Sequence, residues 1–222
     1  MKTLTIAERA QEVLRQVAEA CERAARDPRD VRVVAISKTF PATAIREAAA
    51  AGFREIGENR VQEAAEKLPE LSDLDVTWHL VGHLQTNKVK AALQLFDVIQ
   101  SVDSLHLAQA ISSQAQKPVP VLLEVNVAAE ASKYGFTPEE LPLQAEAIAK
   151  LPNLEVRGLM TVAPQTEDPE SVRWVFRRLR ELRDSLGLLE LSMGMTDDYP
   201  VAIAEGATLL RIGRAIFGER SQ

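Results

Sequence analysis

One cysteine, no long apolar run and no surplus of basic charge set the first limits on this 222-residue chain. A lone thiol, Cys21, cannot close an internal disulfide, which points to a reducing compartment and removes the disulfide-stapled secreted scaffolds. No stretch has the apolar length that a bilayer crossing needs, so no membrane partner is expected. A net charge of −6 speaks against general nucleic-acid binding, which uses a basic face, and suits a protein that stays dispersed. The first residues, Met1 to Ile6, pass directly into an amphipathic segment with several glutamates, unlike a signal or transit peptide. These features place the chain in the cytoplasm. Linkers, low-complexity tracts and repeats are missing as well. Residues 1–222 are therefore read as one domain, a length that a single α/β barrel accommodates.

Metal and nucleotide signatures are also lacking. His79 and His83 are four apart, but on a strand and the turn after it, and no glutamate follows in the zinc-protease pattern. The glycine-bearing turns near the end of the chain match neither the P-loop nor the dinucleotide fingerprint.

What the chain does have is alternation. A first helix spans about Ile6 to Arg26, with Leu14, Val17, Cys21 and Ala24 on one apolar face. Strand-like apolar runs follow at Val31–Ser37, Phe53–Gly57, Val76–Gly82, Asp97–Val102, Val119–Val127, Leu154–Val162, Leu189–Met193 and Thr208–Gly213. Between them lie helical patterns at Pro41–Ala51, Asn59–Leu68, Thr86–Leu95, Ser104–Gln114, Pro138–Lys150, Pro169–Leu186 and Asp197–Glu205. Near-continuous apolar strands alternating with helices give a parallel sheet buried on both faces. Eight of them predict a closed (β/α)8 TIM barrel with one extra N-terminal helix.

In such a barrel the chemistry sits at the carboxyl ends of the strands. That rule selects Lys38, Asn59, His83, Asn126, Thr161, Met193, Arg211 and Gly213. Lys38 ends the first apolar strand, an odd place for an ammonium, which is costly to bury and is often engaged chemically. The plain alternative is a solvated residue opening a loop. Two turns, Ser192-Met-Gly-Met-Thr196 and Arg211-Ile-Gly-Arg-Ala-Ile-Phe-Gly218, lie at the last two strands, where barrels often hold a phosphate. Glycine lets the backbone approach, Ser192 and Thr196 offer hydroxyls, and a helix start presents free amides. The plain alternative is that the glycines only permit tight turns. A lysine amine beside a phosphate cradle suggests an aldehyde cofactor with a phosphate tail.

Seven motifs in order sharpen this: Val34-Ala-Ile-Ser-Lys38, Gly57-Glu-Asn59, Trp78-His-Leu-Val-Gly-His-Leu-Gln-Thr-Asn-Lys88, Ser132-Lys-Tyr-Gly-Phe136, Val156-Arg-Gly-Leu-Met-Thr161, Leu191-Ser-Met-Gly-Met195 and Ile212-Gly-Arg-Ala-Ile-Phe-Gly-Glu-Arg220. With them the chain resembles the pyridoxal-phosphate-binding proteins of the vitamin B6 homeostasis family, over nearly all of its length after Val31. The resemblance implies a fold-type III barrel like the cofactor domain of bacterial alanine racemase. It implies pyridoxal 5'-phosphate on Lys38 as an internal aldimine, with Asn59 in the binding set and Arg211 facing the pyridine nitrogen. The phosphate would lie against Ser192, Thr196, Gly213 and Arg214. Thr196 stands where serine is commoner and Arg214 where threonine is common, and Pro200 interrupts the usual run after Asp198.

The family is not known for an established turnover. The implied role is to hold pyridoxal phosphate reversibly and to buffer it or deliver it to apo enzymes that depend on it. A racemase of this fold needs a second base, commonly a tyrosine from an added domain. The sequence contains only Tyr134 and Tyr199 and stops shortly after the eighth strand. Two rivals remain: an enzyme, either a weak amino-acid racemase or a decarboxylase-like activity, and a Schiff-base aldolase that uses Lys38 without a cofactor. The exposed helix faces show no large apolar stripe, so a monomer is expected.

Overall fold

The computed structural model describes residues 4–219. Arg220, the last residue of the final motif, lies outside them, as do Met1 to Thr3. Eight parallel strands close into a barrel in sequence order. They are β1 (Arg32–Ile36), β2 (Glu55–Glu58), β3 (Thr77–Leu80), β4 (Val98–Val102), β5 (Val119–Glu124), β6 (Leu154–Met160), β7 (Glu190–Ser192) and β8 (Leu209–Ile212). Closure comes from β1 against β8, with Val34 opposite Arg211 and Ala35 opposite Ile212. That register brings the end of the first strand beside the end of the last.

Nine helices accompany the strands among the described residues: α1 (Ile6–Arg23), α2 (Ala42–Ala50), α3 (Val61–Lys67), α4 (Val89–Leu95), α5 (Leu105–Gln114), α6 (Leu141–Ala149), α7 (Arg173–Ser185), α8 (Tyr199–Ala204) and α9 (Arg214–Phe217). The sequence pattern does not announce the short α9. Helix α1 starts on a capping box, in which the Thr5 side chain accepts from the Glu8 amide and Glu8 accepts from the Thr5 amide. It stops at Arg23, earlier than expected, and Ala25 turns the chain with a φ of 51°. Arg26 then leaves the helix and donates to the carbonyls of Ile203 and Ala207. Leu14, expected on the apolar face, is exposed; Ala10, Val13, Val17, Ala20 and Cys21 are the buried residues. Helix α1 packs on α2, α8 and α9, over the β1–β8 seam.

Alternation along each strand divides the core in two. Outward residues such as Ile56, Leu80, Ile99, Leu123 and Leu191 meet the helices in one continuous apolar layer. Fully burying one such side chain contributes about 1.5–3 kcal/mol. Inside the barrel a smaller apolar group, Val34, Ile36, Leu122, Met160 and Leu209, shares the lumen with buried polar residues. No helix of the described residues is long and apolar enough to cross a membrane.

Candidate functional site

A cavity of about 580 Å³ opens at the carboxyl ends of β8, β1 and β2. That volume is within the range of small-molecule sites. Lys38, Asn59, Thr196, Arg211, Gly213 and Arg214 all line it. Six of the seven residues expected at the binding site are thus brought to one place. Ile36, Val81 and Val162 supply apolar wall.

Lys38 sits one residue beyond Ser37, whose hydroxyl is buried and donates to Glu58 Oε1 at 2.7 Å. Lys67 on α3 donates to the same carboxylate oxygen at 2.9 Å and to the Ser37 carbonyl at 3.2 Å. Glu63 accepts from Lys67 and from the Thr39 amide. Thr39 has a φ of 71°, left-handed backbone that a threonine adopts only when held there. An ionic cluster, buried at Glu58 and half-buried at Glu63 and Lys67, therefore grips the chain on both sides of Lys38. Burial raises the Glu58 carboxyl above its usual range, against the hydrogen bonds from Ser37 and Lys67.

The turn after β7 bends at Gly194, whose φ is 92°. A Cβ there would stand 2.6 Å from the Ala202 Cβ, so only glycine fits. Asp198 Oδ1 accepts from the Met195 amide at 2.6 Å and holds the turn with Thr196 at the cavity. The turn after β8 passes Gly213, where a Cβ would lie 3.1 Å from the Ile36 carbonyl. Helix α9 starts there, and its first amides have no carbonyl partner within the helix. Arg214 donates to both carboxylate oxygens of Asp197, at 2.6 and 2.7 Å, and ties the two turns together.

Arg211 is buried, and burial pulls its guanidinium down to about 10, against the pull of Asp198 and Glu124. It stays charged at neutral pH. Its Nη1 donates to Ser192 Oγ at 2.6 Å and its Nη2 to the Thr161 carbonyl at 2.7 Å. Ser192 is the member of the expected set that does not reach the cavity. Its hydroxyl lies inside the barrel, where it accepts from Arg211 and donates to Gln100 Oε1 at 2.6 Å. The Ser192 side chain acts beneath the floor of the cavity, through Arg211.

Three other strand-end candidates, His83, Asn126 and Thr161, do not line the cavity, although the Thr161 carbonyl accepts from Arg211. His83 Nδ1 pairs with Asp103 at 2.8 Å, and its ring stacks on Tyr134 with centroids 3.9 Å apart. Asn126 closes its own loop, donating to the carbonyls of Glu130 and Lys133 and accepting from the Glu130 amide. Thr161 donates to the Val125 carbonyl. No group of three or more potential metal ligands gathers among the described residues.

Two residues that sequence reasoning passed over belong to this region. Glu124 ends β5, three residues before the expected strand end. Burial pushes it up to about 7, with Asp103 adding to the rise and Arg211 opposing it. Gln100 is fully buried inside the barrel. A lone amide within the apolar run Val98–Val102 is the sequence signal that marks it.

Comparison with known proteins identifies the fold and the family. The family described as alanine racemase, N-terminal domain, matches residues 10–221. The pyridoxal phosphate homeostasis protein of Pseudomonas aeruginosa is 49% identical over 97% of this chain and 96% of its own length. PipY from Synechococcus elongatus, solved with PLP bound, superposes with a TM-score of 0.82 at 39% identity, covering 96% of this chain and 100% of that one. Alanine racemase from Corynebacterium glutamicum shares the fold, with a TM-score of 0.74 at 19% identity over 97% of this chain and 61% of that one. Matched over nearly all of its length at up to half identity, the chain belongs to the family of pyridoxal phosphate homeostasis proteins, built on the alanine racemase N-terminal barrel.

Proposed function

We propose that this protein holds pyridoxal phosphate in the cavity at the β8–β1 seam, through Lys38, and buffers or delivers it within the cytoplasmic vitamin B6 pool. One observation carries the reading: a lysine amine shares a single cavity with a buried arginine and with two glycine turns joined by an ion pair. Relatives named for pyridoxal phosphate homeostasis support it.

The residues present fit the group. Gly213 lets the chain pass close to Ile36, where a Cβ would crowd the Ile36 carbonyl, and the two turns offer a hydroxyl, backbone amides and a guanidinium. When bound, pyridoxal phosphate supplies an aldehyde that condenses reversibly with an amine and a ring that withdraws electrons. Lys38 is the amine that would hold it, on a segment fixed by Glu58, Glu63 and Lys67. Thr196 and the amides at the start of α9 would receive the phosphate. Arg214 contributes less charge than its type suggests, because Asp197 already engages it. Arg211 can only donate hydrogen bonds. Placed against the ring nitrogen, as the family resemblance implies, it would disfavour a proton there and leave a weaker electron sink. A guanidinium in that place would work against amino-acid chemistry, which fits a monomeric carrier serving apo enzymes better than a catalyst.

The weak-racemase reading has one feature in its favour: burial pushes Glu124, which interacts with Arg211, up to about 7, although Glu124 itself does not line the cavity. A titration with pyridoxal phosphate and with pyridoxal, followed by a panel of amino acids in deuterated water, separates the readings. The phosphate ester should bind far more tightly than pyridoxal, and α-proton exchange should stay at a trace rate. Equal affinities would remove the case for the two turns. Turnover on the order of 1 per second, ordinary for an enzyme, would overturn the carrier reading.

A further inference from the structure

The barrel lumen holds a continuous line of hydrogen bonds from the cavity floor to the opposite rim. Arg211 Nη1 donates to Ser192 Oγ at 2.6 Å, and Ser192 donates to Gln100 Oε1 at 2.6 Å. Gln100 Nε2 lies 2.9 Å from His79 Nδ1, and His79 Nε2 lies 2.6 Å from Glu55 Oε2. Glu55 Oε1 accepts from Arg32, whose other amino group donates to Glu190 at 2.7 Å. Five strands contribute: β8, β7, β4, β3 and β2, with β1 supplying Arg32 at the far end.

The direction of this line is fixed by its ends. A guanidinium has donors only, so Ser192 Oγ accepts from Arg211 and its own proton is free for Gln100. With the amide oxygen so used, the amide nitrogen faces His79, and Nδ1 must accept. The ring proton then sits on Nε2 and goes to Glu55, which as a carboxylate only accepts. Every donor from Arg211 to His79 points the same way, and no member can reverse without breaking a neighbour. Burying four polar side chains in a lumen that Val34, Leu122 and Met160 otherwise fill is expensive unless each is satisfied. A fully satisfied network of this kind specifies one geometry.

We propose that Gln100 and His79 are positioning residues for Arg211. Through the Ser192 hydroxyl they fix how the guanidinium meets the cavity, and so how it faces the ring of a bound cofactor. The cofactor half of this rests on the reading of the cavity as a pyridoxal phosphate site; the positioning of Arg211 does not.

The test therefore reads Arg211 directly. In protein without added cofactor, the Arg211 Nε–H resonance is assigned by its loss in Arg211→Lys. Ser192→Ala and Gln100→Met should shift and broaden that resonance and weaken pyridoxal phosphate binding by about tenfold, the scale of one lost charge-assisted hydrogen bond. Ser192→Thr, which keeps the hydroxyl, should restore both. Met160→Ala, an interior change off the line, should lower the Tm and leave the resonance in place. If Gln100→Met does not fold, Gln100→Asn, one methylene short of both partners, carries the same expectation. An unchanged Arg211 resonance in folded Ser192→Ala or in either Gln100 variant would overturn the proposal. Failure of the parent protein to bind pyridoxal phosphate would overturn the functional reading instead, and the resonance would still decide the positioning role.

Discussion

The carboxyl-terminal rim of the barrel has two sides, and they treat polar side chains in opposite ways. At the ends of β7, β8, β1 and β2, the residues Thr196, Arg211, Lys38 and Asn59 open onto one cavity. After β3, β5 and β6, residues of the same kinds close on themselves: His83 on Asp103, Asn126 on its own loop, Thr161 on a backbone carbonyl. A strand end nominates a polar residue for chemistry. Its hydrogen-bond partners decide whether it faces a ligand or holds a loop.

Changes on the two sides should separate accordingly. The largest effect is expected from Arg211→Met, which removes the buried charge from the cavity side. Pyridoxal phosphate affinity should fall at least tenfold, since a hydrogen bond to a charged group is worth about 1.5–3 kcal/mol. A spectroscopic titration that returned the parent affinity would break the distinction between the two sides.

Glu124 stands between them, coupled to Asp103 on one side and Arg211 on the other. Its folded pKa of about 7 lies above the ordinary 4.5. The folded state therefore holds a proton that the unfolded state has lost, and stability falls as pH rises from about 4.5 through 7. Glu124→Gln should remove that loss and stabilise the cofactor-free protein by roughly 3 kcal/mol above pH 8. The gain should vanish below about pH 4.5. Urea melts of both proteins at several pH values measure it, and a gain that did not depend on pH would point to packing instead.

Asn126→Ala should unpick the loop between β5 and α6, costing about 1–2 kcal/mol as three hydrogen bonds with the loop backbone are lost. Cofactor affinity should barely change. The smallest effect belongs to His83→Ala, whose pair with Asp103 is partly exposed, so less than about 1 kcal/mol is expected. A large drop in cofactor affinity from either variant would join the two sides into one site.

The barrel was legible because each apolar run is bounded by a helical pattern, and those two periodicities alone order the strands. Strand ends were less so. The apolar run through Val127 hid that β5 stops at Glu124, where the chain turns to bridge Val125 to Phe136. Glu124 therefore read as strand interior, and Asn126 read as the strand end. Lys38, Arg211 and the two turns could be found because each stands at a strand end or carries a glycine. The line from Arg211 to Glu55 could not. Ser192 and Gln100 are 92 residues apart, and only closure of the barrel brings them together. Ser192 was read as a ligand contact for the same reason: its place at the end of β7 is visible in the sequence, while the direction of its hydroxyl is set by two distant strands.

The central claim is that the cavity side of the rim holds its ligand through Lys38. The most direct measurement loads the protein with pyridoxal phosphate, reduces it with borohydride and maps the modified peptide by mass spectrometry. The account predicts a single pyridoxyl group on Lys38 and loss of the visible absorption band in Lys38→Ala, with residual weak binding through the turns. A pyridoxyl group found instead on Lys133 or Lys88, on the other side of the rim, would contradict it.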